Sequence, residues 1–379
     1  MKILVIGAGM MGSAAAYDLF NSPGVNHILL GDIDGERARA VATSLGPTVE
    51  PLTLDTGDDA RVRDAMGRVD AVIAATSYSH NVRLTKIAIE SKKHFCDLGG
   101  NMDVVYEQMK MHDAAVRAGV IIMPNCGLAP GMACVIAAGA AKTFERVDEI
   151  HIRVGGLPQN PVPPLNYQLV FSAQGLINEY LEPAEVLRDG KPATVPSMTD
   201  LESLRFPAPF ESLEAFNTSG GISTLIQMYP GAHSLDYKTI RYPGHCEKFK
   251  MLLDLGFAST EPVTVGTNVL TTREFFENLL RRKLPMNGPD VTLMRVEVQG
   301  LVKGARHTVA YEMVDYYDTA ARLTSMMRTT AFPTSVIAQM AADGTISARG
   351  VMPPEQCVPL EPFLAALARR NISINTVQS

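Results

Sequence analysis

The sequence predicts an α/β fold: a doubly wound parallel sheet, then a second α+β domain with a mixed or antiparallel sheet. Three observations carry this expectation. Lys2 to Gly12 reads KILVIGAGMMG, an apolar strand running into Gly7-x-Gly9-x-x-Gly12 before a helix that opens Ser13-Ala14-Ala15-Ala16. Over the first third, short apolar runs such as Ala71-Val72-Ile73-Ala74 alternate with helical periodicity, as expected of parallel strands buried on both faces. Near Glu145 the pattern changes, and Ile150, Ile152 and Val154 alternate with polar residues as in a half-buried strand.

Taken in order, strands are expected at 2–6, 27–31, 49–54, 69–75, 94–97 and 120–123, with helices at 10–21, 35–45, 58–66, 80–91 and 103–118 between them. Six strands with five crossovers describe a Rossmann-type sheet, in which ligands collect beyond the carboxyl ends of the strands. After a proline-rich loop from Leu157 to Leu165, a helix is expected at 172–181 and an irregular stretch to Glu211. Strands follow at 235–242, 291–299 and 307–314, the last two forming a hairpin through Lys303-Gly304, with helices at 245–255 and 271–282. The tail, 331–342 and then 351–374, reads as helical and is expected to return to the first domain. The predicted domains are thus 1–145, completed by helices in 326–379, and 146–325, a substrate-binding and dimerisation domain.

Composition narrows the function classes. A chain of 379 residues suggests about two domains, and 46% apolar residues supply two cores. Net charge is −6 and the dense basic cluster Arg281-Arg282-Lys283 reads as a solvated helix end, so nucleic acid is not an expected partner. The apolar start is broken by the glycine motif and Asp18, unlike a secretory leader. The apolar stretch Met132 to Ala141 is too short to span a bilayer. Five cysteines (96, 126, 134, 246 and 357) form no CxxC pair, which suits a reducing cytoplasm and offers no metal site.

The glycine motif has a physical reading. Gly7 allows a tight turn, Gly9 lets the backbone approach a pyrophosphate, and Gly12 permits close packing of helix on strand. A diphosphate then meets the free N–H groups and positive dipole end of the helix, at Met10 and Met11. Asp32, twenty residues past Gly12, lies where a ribose would sit; its charge repels a 2′-phosphate, so NAD is expected over NADP. The competing reading makes Asp32 a helix cap, and Arg37 and Arg39 are near enough in sequence that an arginine could accommodate a phosphate. Ile33, Asp55, Thr76, Leu98 and Gly99 complete the expected cofactor contacts, all at the carboxyl ends of strands.

Beyond this motif the chain resembles the lysine 6-dehydrogenases, within the saccharopine dehydrogenase-like superfamily. The likeness rests on CDLGG (96–100), GLAPGM (127–132), GGLPQNPVPPLNY (155–167), VFSAQGL (170–176), LEAFNTSGG (213–221), YKTIRYPGH (237–245), MRTTA (327–331) and GVMPPEQ (350–356). It implies NAD-dependent oxidation of the ε-amino carbon of L-lysine, giving 2-aminoadipate 6-semialdehyde, which cyclises, and ammonia. The glutamate-forming saccharopine reductases look similar too, sharing GGLP, a Tyr78-Ser79-His80-like loop and a TxRYxG stretch. Their GLDPG and CGGLP segments differ here, where Ala129 and Val154 replace the aspartate and the cysteine. Saccharopine dehydrogenase is therefore the alternative activity, and a non-catalytic NAD-binding regulator is a third reading.

Amine oxidation limits the candidates. Lysine's ε-ammonium has a pKa of about 10.4 and must lose a proton, so a base is sought. His245, in Tyr242-Pro243-Gly244-His245, is the first choice because histidine titrates near neutral pH; the competing reading is a capping or core histidine. Asp97 ends the fifth strand, where it can accept the proton or hold the substrate ammonium; the competing reading is a cap of the Gly99-Gly100 turn. Tyr78 is expected beside the cofactor or the reacting carbon. For the substrate carboxylate the candidate is Arg241, which shares a strand face with Tyr237 and Thr239. Thr218 and Ser219 offer polar groups for the same end, and Tyr167 a pocket wall. A homodimer is expected.

Overall fold

Hydrophobic runs too short for helices become strands in the amino-terminal third: β1 (Lys2–Ile6), β2 (His27–Asp32), β3 (Val49–Thr53), β4 (Ala71–Ala74), β5 (His94–Asp97) and β6 (Ile121–Met123). In the computed structural model, which describes residues 1–286 and 288–378, they pair in the order β3-β2-β1-β4-β5-β6 and every pair is parallel. The doubly wound sheet expected from the glycine motif is present. β4 is buried at all four positions, which explains its unbroken apolar sequence. Leu4, Ile6, Leu29, Val72, Leu84, Phe95 and Ile122 belong to the core beneath it.

Two local expectations need correction. The helix expected at 103–118 is two, Met102–Met109 and His112–Ala118, with a tighter turn between them in which Met111 N–H bonds to Gln108 O. The tail is helical at Ser325–Ala342 and Leu360–Ala368, but Gly350–Val351 is a strand that extends the parallel sheet beside β6. Asn375–Gln378 is another strand, antiparallel to Ala305–Tyr316.

Residues Met1–Thr143, Ser223–Leu225 and Met327–Ser373 form the first compact unit; Phe144–Ile222, Ile226–Met326 and the tail from Ile374 form the second. The second unit is built on a mixed nine-stranded sheet. Its path runs Glu202–Leu204, Leu213–Asn217, Ser234–Arg241, Arg146–Pro158, Asp290–Val302, Ala305–Tyr316 and Asn375–Gln378. Ser234–Arg241 is parallel to Arg146–Pro158 and antiparallel to Leu213–Asn217. The hairpin through Lys303-Gly304 is formed, with φ of 51° and 75° at the two turn residues. The stretch expected to be irregular instead holds a hairpin, Ala184–Arg188 with Lys191–Val195, and the strand Glu202–Leu204. Among the described residues no helix is long and apolar enough to cross a membrane.

Candidate functional site

In the first unit the glycine loop joins β1 to α1 (Met10–Phe20), and each glycine meets a different constraint. Gly7 has φ +103°, and a Cβ there would lie 2.4 Å from the Ala75 carbonyl oxygen. A Cβ on Gly12 would lie 1.7 Å from the Gly7 carbonyl oxygen, so helix and strand touch through this residue. A Cβ on Gly9 would meet no protein atom within 4 Å. Gly9 is also the N-cap of α1, with no side chain capping the first turn. Free N–H groups beside open space are what a diphosphate requires. Met10 and Met11 lie in that first turn.

Asp32 closes β2 and is buried. Its Oδ2 accepts a hydrogen bond from Ala8 N at 2.6 Å, and its Oδ1 one from Asp34 N at 2.8 Å. The N-cap of the next helix, Gly35–Leu45, is Asp34, whose side chain accepts from Arg37 N. Asp32 is therefore not that cap. Arg37 lies 3.9 Å from Asp32 and 3.3 Å from Asp34, and Arg39 pairs with Glu36. Next to Asp32, Ile33 is 70% exposed, an apolar face beside the position expected for a ribose. Asp55 is exposed and accepts from Gly57 N, while Thr76, Leu98 and Gly99 are half-buried.

Asp97 is fully buried. Its Oδ1 accepts from Gly99 N at 2.8 Å and Asn125 N at 3.4 Å, and its Oδ2 from Gln108 Nε2 at 2.7 Å. Burial pushes its carboxyl up to about 6, against these hydrogen bonds. This geometry makes it the anchor of the Gly99 turn. Tyr78 sits in a short turn at the start of the next helix and is half-buried; a Cβ on Gly100 would lie 3.0 Å from its ring. Asn125 has φ +63° and is buried, and its Oδ1 has no hydrogen-bond partner among the described residues. Asn125 follows β6, and nothing in the sequence marks its orphaned oxygen.

In the second unit the strand face Tyr237, Thr239, Arg241 carries a polar cluster, while Lys238 on the other face pairs with Glu202 at 2.7 Å. Arg241 is buried. Its Nε donates to Tyr180 Oη at 2.7 Å and its Nη1 to Ile240 O at 2.8 Å, and its guanidinium lies 4.8 Å from the Tyr167 ring centroid. Burial opposes its charge, but Tyr180, Tyr167 and Glu179 outweigh that and raise its pKa. Its Nη2 has no hydrogen bond and the guanidinium no carboxylate within ion-pair distance, among the described residues.

His245 begins the helix His245–Asp254 and is buried against Tyr167, Tyr180, Phe216 and Phe249. Its Nδ1 lies 2.9 Å from Leu165 O, which can only accept, so Nδ1 carries a proton. Its Nε2, 3.1 Å from Tyr180 Oη, then accepts from that hydroxyl. Burial, with the nearby Arg241 charge, drives its pKa down to about 3. The imidazole is a neutral link that orients Tyr180 and through it Arg241. Tyr167 is buried and its hydroxyl has no hydrogen-bond partner among the described residues; burial pushes its pKa up to about 12. Ser219 N donates to Glu179 O, and the Thr218 hydroxyl to Glu179 Oε1. Glu179 and Tyr180 were not singled out from sequence. The signal was an acid and a tyrosine beside the buried positions Ala173, Leu176 and Ile177 of one amphipathic helix.

Comparison with known sequences decides the family. The sequence model described as "Saccharopine dehydrogenase C-terminal domain" matches residues 127–372. The chain belongs to the saccharopine dehydrogenase family. A second model, "Saccharopine dehydrogenase NADP binding domain", matches residues 3–123. Among curated relatives, saccharopine dehydrogenase [NADP(+), L-glutamate-forming] of Pyricularia oryzae is 29% identical over 56% of this chain and 48% of its own length. Mitochondrial alpha-aminoadipic semialdehyde synthase of Mus musculus is 22% identical over 99% of this chain and 47% of its own. The chain thus spans about half the length of these relatives. Saccharopine dehydrogenase (L-Glu forming) of Saccharomyces cerevisiae, an apo structure, shares the fold with TM-score 0.80 at 19% identity, covering 99% of both chains.

Within this saccharopine dehydrogenase family member, the departures noted from sequence sit at defined places. Ala129 is half-buried in the loop after β6, and Val154 is buried in the strand Arg146–Pro158, in register with Thr239.

Proposed function

We propose that this chain is an NAD-dependent dehydrogenase of the ε-amino carbon of free L-lysine, releasing ammonia and 2-aminoadipate 6-semialdehyde. The observation that carries the substrate half is the state of the buried cations in the second unit. Arg153 is held by Glu202 and Asp236, and Lys238 by Glu202, whereas Arg241 has no carboxylate. Among the described buried residues of that unit, one cation remains for one substrate carboxylate. Saccharopine carries three carboxylates and would need more. Ala129 and Val154 weaken the saccharopine reading further.

The residues of the first unit fit a dinucleotide. Gly9 and the uncapped start of α1 suit the diphosphate, Asp32 the ribose and Ile33 the adenine, and the orphaned Asn125 oxygen suits an amide donor. When bound, the dinucleotide supplies the two-electron acceptor. NAD is favoured because a buried carboxylate stands at the ribose position, and Arg37 and Arg39 already face carboxylates rather than a phosphate site. The name of the Pyricularia oryzae relative and that of the matched amino-terminal domain carry NADP, so the preference is a specific departure to test.

For the substrate, Arg241 can take the carboxylate in a bidentate pair, oriented by Tyr180 and His245. The ε-ammonium loses a proton, the adjacent C–H bond gives up hydride to the dinucleotide, and water adds to the resulting imine, whose carbon–nitrogen bond then breaks to release ammonia and leave the aldehyde. Reduction of NAD and NADP should be assayed with L-lysine, L-ornithine and saccharopine side by side. The proposal expects NAD reduction with L-lysine at a kcat/KM at least about tenfold above every other pairing. Preferred turnover of saccharopine would refute the substrate reading, and equal use of NADP the role of Asp32.

A further inference from the structure

Arg241 is one of two charged side chains in its neighbourhood that have no direct ion-pair partner among the described residues. Glu179 lies on the helix Ala173–Leu181, whose buried face is Ala173, Leu176, Ile177 and Tyr180, and is itself half-buried. Its Oε1 accepts from Thr239 Oγ1 at 2.7 Å and Thr218 Oγ1 at 3.1 Å. These two hydroxyls lie 2.7 Å apart, and both threonines are buried. Its Oε2 has no hydrogen-bond partner, and no cation lies within ion-pair distance, among the described residues. Glu179 and Arg241 are adjacent through Tyr180, yet they do not pair with each other. The unpartnered Tyr167 hydroxyl lies in the same cluster, its ring against the guanidinium.

Two opposite charges held close but unpaired are costly in a protein interior. A ligand bearing both charges on one carbon removes the cost at both ends. We propose that Glu179, with Thr218 and Thr239 fixing its carboxylate, forms an α-ammonium subsite that, with Arg241 for the carboxylate, selects an α-amino-acid zwitterion. Glu179 is then a specificity-determining residue: ω-amino acids without an α-amine leave the Glu179 carboxylate unpaired, and diamines without a carboxylate leave the buried Arg241 unpaired. The proposal deepens the lysine reading, but its binding claim does not depend on turnover.

The test is calorimetric titration of the full-length protein with NAD present, using L-lysine, 6-aminohexanoate and pentane-1,5-diamine as probes. The wild type should bind L-lysine at least about tenfold more tightly than 6-aminohexanoate, the range for a hydrogen bond to a charged group. Glu179→Gln should bring that ratio near unity while the melting temperature stays close to wild type. Arg241→Lys should instead narrow the preference over the diamine. Should Glu179→Gln fail to fold, Thr218→Ala, which frees the carboxylate on one side, should lower the same ratio severalfold. An undiminished ratio in a folded Glu179→Gln or Thr218→Ala protein would overturn the subsite and leave Glu179 as a staple between helix and strands. Equal binding of all three probes by the wild type, or none, would overturn it as well. Glu179-dependent selection of L-lysine without NADH formation would instead retain the subsite and remove the dehydrogenase reading.

Discussion

His245 shows how burial changes what a residue type can do. Its sequence neighbours suit a base, but a ring bonded at both nitrogens and driven down to about 3 does not titrate where a base is needed. His245→Gln keeps a donor for Leu165 O and an acceptor for Tyr180, so it should retain most turnover. His245→Ala opens a cavity and strands both partners, at a cost of about 3 kcal/mol. In the wild type, kcat/KM for lysine should climb toward the substrate's own pKa of about 10.4 without an inflection from 6 to 7. An inflection there that His245→Gln abolishes would restore the imidazole as base. Asp97 carries the opposite sign. Its carboxyl rises from 3.8 to about 6 on folding, so the folded state holds the proton more tightly. Its contribution to stability is complete below pH 4 and lost as pH rises through 6, by about 3 kcal/mol in all. In Asp97→Asn, Gln108 can turn its buried, unpartnered Oε1 toward the new amide. Denaturant unfolding at pH 4 and 7 should therefore show a smaller fall for Asp97→Asn than for wild type; equal falls would refute this. Sequence pointed to both residues, because motif and strand end mark positions. It could not show that both are sealed, since Tyr167 and Phe216 cover His245 and Asn125 closes over Asp97, each distant in the chain from the residue it covers.

Elements whose chemistry is local were legible. The apolar runs of the parallel sheet and the Lys303-Gly304 turn each carry their signal within a few residues. The hairpin at Ala184–Arg188 carries one as well, in Asp189-Gly190 with φ of 49° and 73°, but its flanking strands of five residues each are too short for a clear alternation. Gly350–Val351 carried none: two residues have no periodicity, and only the edge of β6 makes them a strand. In the glycine loop, Gly9 and Gly12 separate ligand from scaffold. Gly9→Ala should fold normally, since its Cβ would enter open space, yet weaken NAD binding at least about tenfold. Gly12→Ala pushes into the Gly7 carbonyl and should lower the melting temperature as well. Unchanged NAD affinity in Gly9→Ala would mean that no phosphate approaches this turn.

At the scale of the whole molecule, the first unit draws on both ends of the chain. Phe332, Val336, Ile337, Ile346, Val351, Phe363, Leu367 and Ile372 are buried, and all lie beyond Met326. A chain ending at Met326 should therefore lose NAD binding and melt far below the intact protein, which a fluorescence titration and a thermal scan would read. Retained binding would mean that residues 1–143 are self-sufficient. The pattern that made this tail read as helical could not reveal which strand edge it completes.

The polypeptide passes between its two units at residues 143, 222, 225, 326 and 373. A gene exchange that replaced only the leading segment would leave a foreign sheet to be finished by the original trailing one, with mismatched edges. Nucleotide preference and substrate preference are thus hard to inherit separately, and under the proposed role of Asp32 a change of coenzyme would come more readily by substitutions around it than by grafting a ready-made half.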